Sequence, residues 1–562
     1  MTFAQAVSDV VPDIPLDRRE IVYPRMTPAQ LARIASYGAR REVHAGEEVY
    51  RQGDEHVHLF VVVKGQLDVV RPGLDGEQLI VTCEPGEFTG EVNLLSGRRS
   101  LVTGRMRTDG ELLDVPPPGL RRLVVADAEL SELLMRTFIL RRVLLITRRL
   151  GDVVLVGSRR NPGTLQLMEF LTRNGHPYGY LDVEEDPAAQ SLLDQFGVTS
   201  KNIPVLIWRG TRALRNPTDE AVADLLGFNA GVDVAGVRDV LVVGAGPAGL
   251  SAAVYAASEG LQVLVVEAYA PGGQAGSSSR IENYLGFPTG ISGTALAGRA
   301  FTQAQKFGAD IGISRVAEHL ECSARPYTIT LRNGDRLRAR TVIVASGARY
   351  RKLDLPHRER FDNAGIYYGA TFVEAQLCAG EEVAVVGGGN SAGQAAMYLA
   401  TIARHVQMLV RGESLSVTMS RYLIDRIQEC PRITVHTCTE IVAFIGENTL
   451  ERIRWRHNKT GEVEERPIRH VFCMTGAEPN TGWLAGCVGL DDRGFVKTGQ
   501  DLRPDELEKA EWPLSRPPYL LETSRPGVFA VGDVRAGNIK RVASAVGEGS
   551  ICIHLVHKAL LG

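Results

Sequence analysis

The hydrophobic and polar positions divide the chain into three blocks, of which the first covers residues 25–150. Its short apolar runs alternate with polar residues between turns rich in Gly, Pro and Asp, which predicts a small antiparallel roll. A helix is expected after Thr27, which can cap it, with Pro28 at the first helical position. A longer helical pattern over residues 126–150 closes the block.

The second block, residues 152–228, changes repeatedly from a strand pattern to a helix pattern. The runs VVLVG, GYLDV and IPVLIW read as strands, and TLQLMEFLTRNG, AAQSLLDQFGV and TDEAVADLLGF read as helices. Strands that alternate with helices predict a compact α/β unit. A linker rich in Gly, Ala and Val, residues 229–236, leads into the third block.

The third block, residues 237–562, opens with an apolar strand, a glycine-rich turn and a helix. Gly244, Gly246 and Gly249 fill a G-x-G-x-x-G pattern, which permits a tight turn, a close pyrophosphate and close helix–strand packing. Glu267 ends the next strand, where its carboxylate can accept from a ribose hydroxyl. This is the pattern of a dinucleotide-binding βαβ unit.

A second unit of the same type lies further along the block. Gly387 and Gly389 repeat the turn, and Ala392 takes the third glycine position. Arg411 ends the following strand, where an arginine favours the 2′-phosphate of NADP. Two such units predict two dinucleotides, and in a hydride-transfer enzyme these are FAD and NADPH or NADH.

Composition and charge limit the binding partners and the cellular compartment that we expect. The chain has 562 residues, 44% of them hydrophobic, and its net charge of −3 gives no broad reason to bind nucleic acid or anionic membrane. None of its eight cysteines forms a C-x-x-C pair, which favours a reducing compartment over a disulfide scaffold. No secretory signal or long apolar run is evident. We expect a cytoplasmic protein with no metal, DNA or membrane partner.

The third block resembles the low-molecular-weight thioredoxin reductase family. Five segments carry the resemblance in the family's order, namely PGGQ (271–274), IENYLGFP (281–288), ASGA (345–348), TGAEPNT (475–481) and RPGVFAVGDVR (525–535). The first two match flavin-contacting stretches, and the third and fourth match the crossings to and from the NADPH domain. The last contains a Gly-Asp pair that in the family binds the ribityl–phosphate part of the flavin.

This resemblance implies an FAD-binding domain over 237–352 and 477–562, an NAD(P)-binding domain over 353–476, and a homodimer. The implied FAD contacts are Gly244, Gly246, Ala248, Gly249, Glu267, Gly273, Gln274, Asn283, Ala345, Gly347, Gly532, Asp533, Arg541 and Val542. The implied NADP contacts are Gly387, Gly389, Asn390, Ser391 and Arg411.

The chain departs from the family where the redox-active dithiol belongs. Gly369 and Phe372 occupy the two cysteine positions of the family's C-A-T-C segment. A thiolate is needed to pass electrons to a disulfide, and neither residue supplies one. Cys378 lies nearby and is expected to be a buried structural thiol. Tyr367 and Tyr368 are candidates for stacking on the flavin, with core packing as the alternative.

Two further departures concern charge. The family's basic NADPH-binding run is reduced to Arg411, with Arg421 as a candidate substitute. Arg541 stands where the family usually has Gln, and a cation near the flavin pyrimidine would favour the anionic reduced form.

The first block resembles a cyclic-nucleotide-binding domain of the catabolite-activator type in the run GEEVYRQGDEHVHLFVVVKGQLDVV. The implied cassette, FTGEVNLLSGRRS, assigns the ribose to Gly90 and Glu91 and the cyclic phosphate to Arg99 and Ser100. A cyclic nucleotide, another ligand or no ligand all stay open. No helix-turn-helix follows, so a transcription factor is not indicated.

The second block resembles the thioredoxin/glutaredoxin fold. Ile203-Pro204 lies where that fold keeps a cis-proline. Residues 158–161 read Ser-Arg-Arg-Asn where the fold carries C-x-x-C, so this unit also lacks a dithiol and is expected to be a docking or spacer domain.

The fold class is therefore multidomain α/β with an N-terminal β-roll, two Rossmann-like three-layer dinucleotide-binding domains and a small thioredoxin-like domain. The first functional hypothesis is an FAD-dependent NAD(P)H oxidoreductase with a non-dithiol acceptor, such as a ferredoxin-like protein, a quinone or a small molecule, under cyclic-nucleotide control. The second is a thioredoxin-disulfide reductase that uses other cysteines, with a thioredoxin-like partner. The third is a flavin and nucleotide redox sensor with little turnover.

Overall fold

The computed structural model describes residues 19–73, 76–199, 202–229, 232–233, 235–447 and 449–561, so the linker predicted over 229–236 lies partly outside it. Two antiparallel sheets of strand order β1-β7-β3 and β2-β6-β4-β5 form the first unit. Its strands are β1 (Ala39–Val43), β2 (Glu48–Tyr50), β3 (Leu59–Lys64), β4 (Leu67–Gly73), β5 (Gly76–Cys83), β6 (Thr103–Met106) and β7 (Gly110–Val115).

The first unit also contains helices. They are α1 (Arg19–Val22), α2 (Pro28–Ile34), α3 (Asn93–Ser96), α4 (Pro117–Ala126) and α5 (Ala128–Thr147). The predicted start of α2 is confirmed, because Thr27 forms a reciprocal capping box with Gln30 and Pro28 takes the first helical turn. The apolar side of α5 closes the core through Leu134 and Phe138.

The second unit is a four-stranded sheet of order β11-β10-β8-β9 with three helices. Its elements are β8 (Val153–Gly157), α6 (Pro162–Arg173), β9 (Tyr178–Asp182), α7 (Pro187–Gln195), β10 (Val205–Trp208), β11 (Arg212–Arg215) and α8 (Asp219–Leu225). The predicted strands and helices are confirmed, and β11 is an additional strand whose half-exposed residues gave no apolar run.

The third unit begins with a sheet of order β14-β13-β12-β17-β16-β15. Its elements are β12 (Val237–Val243), α9 (Pro247–Ser258), β13 (Val263–Glu267), α10 (Gly273–Gly276), α11 (Gly293–Lys306), β14 (Asp310–Ile313), β15 (Ala317–Glu321), β16 (Tyr327–Leu331), β17 (Arg336–Val344) and β18 (Ala348–Tyr350). Strands β12, β13, β14 and β17 run parallel, which brings the ends of β12 and β13 to one edge.

A five-stranded parallel sheet of order β19-β26-β20-β21-β22 follows, with an antiparallel β23-β24-β25 sheet beside it. The elements are β19 (Ile366–Tyr367), α12 (Phe372–Leu377), β20 (Glu382–Val386), α13 (Asn390–Leu399), β21 (His405–Leu409), α14 (Arg421–Glu429), β22 (Ile433–His436), β23 (Thr439–Ile445), β24 (Arg452–His457), β25 (Val463–Arg466) and β26 (His470–Cys473).

The chain then returns to the first dinucleotide sheet. Strand β27 (Ala477–Pro479) pairs with β18, so the two crossing segments lie side by side. Strand β28 (Val528–Ala530) adds a parallel neighbour to β17. Helix α15 (Pro504–Lys509) lies in the connection, and α16 (Val542–Leu561) packs on α9. Short 3₁₀ turns are Ala35–Tyr37, Arg358–Phe361, Leu415–Val417, Gly482–Leu484, Gly499–Asp501 and Gly532–Val534.

One pair of cysteines corrects the expectation of scattered thiols. Cys322 and Cys487 form a disulfide across 165 residues, with Cα atoms 6.0 Å apart. The pair packs with Leu320 and Trp483 on the sheet face opposite to α9, which the spacing of the cysteines could not reveal. The other cysteines are free. Among the described residues, the helices lack the combination of length and apolarity that a membrane crossing requires.

Candidate functional site

The first glycine-rich turn leaves no room for a side chain at two of its three glycines. Gly244 has a φ of +107°, and a Cβ there would lie 2.3 Å from Ala345 O. A Cβ on Gly249 would lie 1.9 Å from Gly244 O. Gly246 precedes α9, and a Cβ there would meet no described atom closer than Gly273 Cα, at 3.9 Å. Open backbone at a helix N-terminus can receive a pyrophosphate.

Glu267 stands at the end of β13, beside this turn. Its Oε2 accepts a hydrogen bond from Ala245 N at 2.7 Å, and its Oε1 accepts one from Tyr269 N at 2.9 Å. Burial raises the pKa of Glu267, and the backbone donors oppose that rise. Two of the carboxylate's lone-pair positions are thus taken and others remain for ribose hydroxyls.

The PGGQ segment packs backbone to backbone against the turn. Gly273 has a φ of +53°, and a Cβ there would lie 3.1 Å from Gly246 Cα. Arg173, on α6 of the second unit, donates from Nη2 to Gly273 O at 2.7 Å. Gln274 and Asn283 are exposed nearby along the chain. The contact from Arg173 was not foreseen, because nothing local marks an arginine that meets a segment 100 residues away.

The Gly-Asp pair meets the same region from the C-terminal end. Gly532 has a φ of +75°, and a Cβ there would lie 2.9 Å from Ala248 Cβ on α9. Gly532 N donates to Glu548 Oε2 at 2.7 Å. Burial raises the pKa of Asp533, and Lys540 opposes that rise. Glu548 was missed by the sequence analysis, although an acid in a helix of small residues is a usable signal.

The remaining predicted FAD residues lie at the edge of this arrangement. Ala345 is buried beneath the turn, and Gly347 O accepts from Asn480 N at 3.0 Å. Arg541 is exposed just before α16, and Val542 packs on the cluster around Ile281. The structure therefore brings the glycine-rich turn, Glu267, PGGQ and the Gly-Asp pair together, and leaves Gln274, Asn283 and Arg541 exposed.

The second glycine-rich turn repeats the geometry of the first at its two glycines. Gly387 has a φ of +146°, and a Cβ there would lie 2.5 Å from Met474 O. A Cβ on Gly389 would meet nothing closer than Thr418 O, at 4.0 Å, among the described residues. Asn390 Oδ1 accepts from Ser420 N at 2.7 Å, which ties the start of α13 to the start of α14.

The predicted NADP residues Ser391 and Arg411 are exposed at the mouth of this turn. Arg421, the candidate substitute, is also exposed and forms an ion pair of 2.8 Å with Asp425 one turn along its own helix. Arg411 is thus the better placed cation for a 2′-phosphate.

The former dithiol position holds no sulfur. A Cβ on Gly369 would lie 3.8 Å from Thr371 Cγ2 and 3.9 Å from Ser277 Oγ, which places this segment against the flavin-side chain after PGGQ. Phe372 begins α12, and its side chain lies outside the described part. Cys378 is buried, and burial raises the pKa of its thiol to about 12. A thiol of that pKa is a poor electron carrier at neutral pH.

Two tyrosines near this position already have partners. The Tyr367 ring lies 5.2 Å from Phe472 and stacks on His470 at 5.9 Å, measured between centroids. The Tyr368 hydroxyl donates to Asp362 Oδ1 at 2.8 Å. This packing favours the core alternative for both rings over stacking on a flavin.

A carboxyl group close to the missing dithiol was not singled out from the sequence. Glu374 accepts a hydrogen bond from Thr371 N at 3.0 Å and another from the Thr371 hydroxyl. Burial and the nearby carboxylate of Glu169, on α6, raise the pKa of Glu374 to about 7. A group with this pKa can take up or release a proton at physiological pH.

The first unit encloses a cavity of about 60 Å³ between the roll and α5. Gly90, Glu91 and Ser100 line it, as the resemblance implies. Glu91 forms an ion pair of 2.8 Å with Arg142 of α5. The Ser100 hydroxyl is bonded within its own turn to Val102 O at 2.7 Å.

The arginine that faces this cavity is Arg98 rather than Arg99. Arg99 is not part of the cavity lining and donates from Nη1 to Leu225 O of the second unit at 2.9 Å, so the structure does not bring it to the place that the predicted phosphate role requires. Arg98 lines the cavity, and its guanidinium also lies 4.6 Å from the Phe228 ring and 5.3 Å from the Phe301 ring. Burial, with a neighbouring arginine, lowers the pKa of Arg98 to about 9.

The second unit has the expected cis-proline and the expected lack of a dithiol. The Ile203–Pro204 bond is cis. Ser158 donates to Glu184 Oε1 at 2.7 Å, and Asn161 caps α6 through Thr164 N at 3.0 Å, so the C-x-x-C position is taken by polar groups. The likeness to thioredoxin stays a prediction.

Comparison with known proteins agrees with this geometry. The family model "Pyridine nucleotide-disulphide oxidoreductase" matches residues 238–549, and "Cyclic nucleotide-binding domain" matches 40–127. NADPH-dependent thioredoxin reductase 3 of Arabidopsis thaliana is 35% identical over 56% of this chain and 57% of its own length. The chain thus spans just over half of that relative. Thioredoxin reductase of Streptomyces clavuligerus is 32% identical over 56% of this chain and 91% of its own length.

Solved structures show the same likeness. Thioredoxin reductase of Lactococcus lactis superposes with a TM-score of 0.52 at 26% identity, covering 58% of this chain and 99% of that one. The enzyme of T. acidophilum gives a TM-score of 0.51 at 27% identity with the same coverage. The predicted resemblance of the third block, the fold class with its two Rossmann-like domains, and the cyclic-nucleotide-binding type of the first block are confirmed.

Proposed function

The chain belongs to the pyridine nucleotide-disulphide oxidoreductase family, and from this premise we propose that it passes electrons from NADPH to an acceptor that is not a disulfide. Its C-terminal part is a thioredoxin reductase-like oxidoreductase of a family that uses FAD and NADPH. The acceptor is the part of the function in which this chain departs from its relatives.

The observation that carries the proposal is the sulfur-free segment between β19 and α12. Gly369 and Phe372 replace both cysteines, and the adjacent Cys378 is buried with a raised pKa. The disulfide of Cys322 and Cys487 packs on the sheet face opposite to α9, away from Ser277 and Thr371. Disulfide exchange needs an accessible thiolate, and these residues do not offer one.

The described residues fit both cofactors. Bound FAD would supply a ring that accepts and releases electrons in pairs. The cradle for the pyrophosphate is formed by Gly244, Gly246 and Gly249, and a Cβ at these positions would fill or distort it. Glu267 has lone pairs left that can accept hydrogen bonds from the ribose. For NADPH, Gly389 leaves open backbone at the start of α13 and Arg411 supplies the cation.

Glu374 supports the chemistry of the acceptor. Reduction of a non-thiol organic acceptor consumes protons as well as electrons, and a carboxyl group with a pKa of about 7 beside Thr371 can deliver one.

Steady-state oxidation of NADPH by the full chain tests this proposal. We expect turnover with ferricyanide or a quinone and at most trace turnover with thioredoxin or an aromatic disulfide. Fast disulfide reduction would instead support the thioredoxin-disulfide reductase alternative, and turnover with none of these acceptors would support the sensor.

A second proposal concerns control by a cyclic nucleotide, supported by the residues that line the cavity of the first unit. We place the ribose at Glu91 and the cyclic phosphate at Ser100 and Arg98. Because Arg98 also contacts Phe228 and Phe301 in the other units, a phosphate that draws it inward would loosen those contacts. Calorimetry with cyclic AMP and cyclic GMP checks this: Arg98→Gln should abolish binding and Arg99→Gln should retain it.

A further inference from the structure

A second, larger cavity lies where all the units of the chain meet. Its volume is about 260 Å³, slightly below the range of about 300–1,000 Å³ that is usual for ligand pockets. Its walls come from α5 of the first unit, α6 of the second, the chain from Pro271 to Gln305 of the FAD-binding sheet, and Thr371 and Tyr398 of the NADP-binding sheet.

This cavity reaches the segment that replaces the dithiol. Ser277 and Thr371 both line it, and they are the residues that lie closest to the Cβ position of Gly369. A molecule in the cavity would therefore lie beside the site from which electrons leave a reductase of this family.

The walls carry more arginines than acids, and two of the arginines are already paired, Arg142 with Glu91 and Arg173 with Glu169. Four arginines line the cavity, Arg98, Arg142, Arg173 and Arg299, against one acid, Glu169. Buried donors remain without hydrogen-bond partners at Arg98 Nε and Nη2, Arg142 Nε and Arg173 Nε. Such donors are costly to leave unsatisfied, and an anionic group would satisfy them.

The rest of the wall is apolar. Ile139, Val143 and Ile146 present one face of α5, and Phe301 and Tyr398 add aromatic rings. Apolar walls with a few convergent polar groups suit a flat hydrocarbon body that carries one charged substituent.

We propose that this cavity binds the electron acceptor and that the acceptor is a small anionic quinone. The reaction balances as NADPH, a proton and a quinone giving NADP⁺ and a hydroquinone: two electrons and two protons convert two carbonyl groups into two hydroxyls. The inference rests on the proposed function and adds the substrate class and its site.

Gly298 provides the test of location. It lies on α11 in the cavity wall, and a Cβ there would meet nothing within 4 Å among the described residues, so a large side chain would enter open space. Gln303 is exposed on the same helix outside the cavity, and Gln303→Trp is the matched control. Gly298→Leu is a smaller second variant should Gly298→Trp fold poorly.

The measurement is calorimetric binding of anthraquinone-2-sulfonate to the full chain with FAD bound. We expect Gly298→Trp to weaken binding at least tenfold, and Gln303→Trp to leave it unchanged. The neutral 2-(hydroxymethyl)anthraquinone should bind about tenfold more weakly than the sulfonate, because the arginines contribute a charge-assisted contact that salt screens. Equal binding by Gly298→Trp and the parent chain would overturn the site.

Failure of this inference is distinguishable from failure of the proposed function. NADPH oxidation with ferricyanide, together with no binding of the quinone sulfonate, would overturn the cavity assignment and leave the non-disulfide acceptor in place. Rapid reduction of thioredoxin would overturn the proposed function itself.

Discussion

The two glycine-rich turns of the third block are constrained alike at their first two glycines and differ at the third position, where Gly249 of the first turn is replaced by Ala392 in the second. In the first, Cβ atoms on Gly244 and Gly249 would overlap backbone oxygens, so glycine is required by the protein itself. In the second, Gly387 is constrained in this way, and a Cβ on Gly389 would lie in open space, as it would on Gly246 of the first turn. Both turns thus leave open backbone at the second glycine, and only the first requires glycine at the third position.

Glu267 and Arg411, the charged residues at the end of the second strand of each unit, differ in their burial and in their partners. Glu267 is buried and held by two backbone N–H groups before any ribose arrives. Arg411 is exposed and forms no ion pair among the described residues. We infer that the FAD site is built in advance, whereas the NADP site is completed by its ligand.

The largest expected effect breaks the first turn while sparing the second. Gly249→Ala places a methyl group 1.9 Å from Gly244 O and should cost about 3 kcal/mol, since the clash is with backbone. Gly389→Ala meets no such clash and should leave stability unchanged within about 0.5 kcal/mol. Thermal unfolding and the flavin content of the purified variants check both. Similar loss of FAD in the two variants would contradict the comparison.

A smaller effect compares the charged strand ends. Glu267→Gln replaces one oxygen by an NH₂ group that faces a backbone donor, which should cost about 1–3 kcal/mol of FAD affinity. Arg411→Gln should raise KM for NADPH about tenfold and leave KM for NADH unchanged, because only NADPH carries the 2′-phosphate. An equal rise in KM for both nicotinamides would assign Arg411 to structure instead.

A pH-dependent effect concerns a carboxyl group of the second dinucleotide domain. The pKa of Glu374 rises from 4.5 to about 7 in the folded chain, so the native state binds more protons than the unfolded state between these values. Native stability should therefore fall as pH rises from about 4.5 to about 7, and Glu374→Gln should remove that decline. Thermal unfolding across this range, with the exposed Glu429→Gln as control, measures it; a parallel decline in Glu374→Gln would refute the assignment.

Short-range patterns were enough to predict much of this fold. The capping of α2, the alternation in the second unit and the two glycine-rich turns all depend on residues within one or two elements of each other. Strand β11 escaped prediction because its side chains are only half-buried and the run is short.

Long-range contacts were not predictable from one sequence. Cys322 and Cys487 meet across 165 residues, and Arg173 reaches Gly273 from another unit. The choice between Arg98 and Arg99 depends on the left-handed turn at Gly97 and on a carbonyl of the second unit, so the cassette pattern alone could not decide it. The larger cavity exists only because separate units meet.

The central claim is that no dithiol accepts electrons within this protein, and an anaerobic titration of the full chain with NADPH tests it most directly. Bleaching of the flavin absorbance should be complete at about one NADPH per FAD, since the flavin then takes two electrons and passes none to the disulfide of Cys322 and Cys487. An end point near two NADPH per FAD would mean that a disulfide, such as that of Cys322 and Cys487, takes part in electron transfer and would contradict the account.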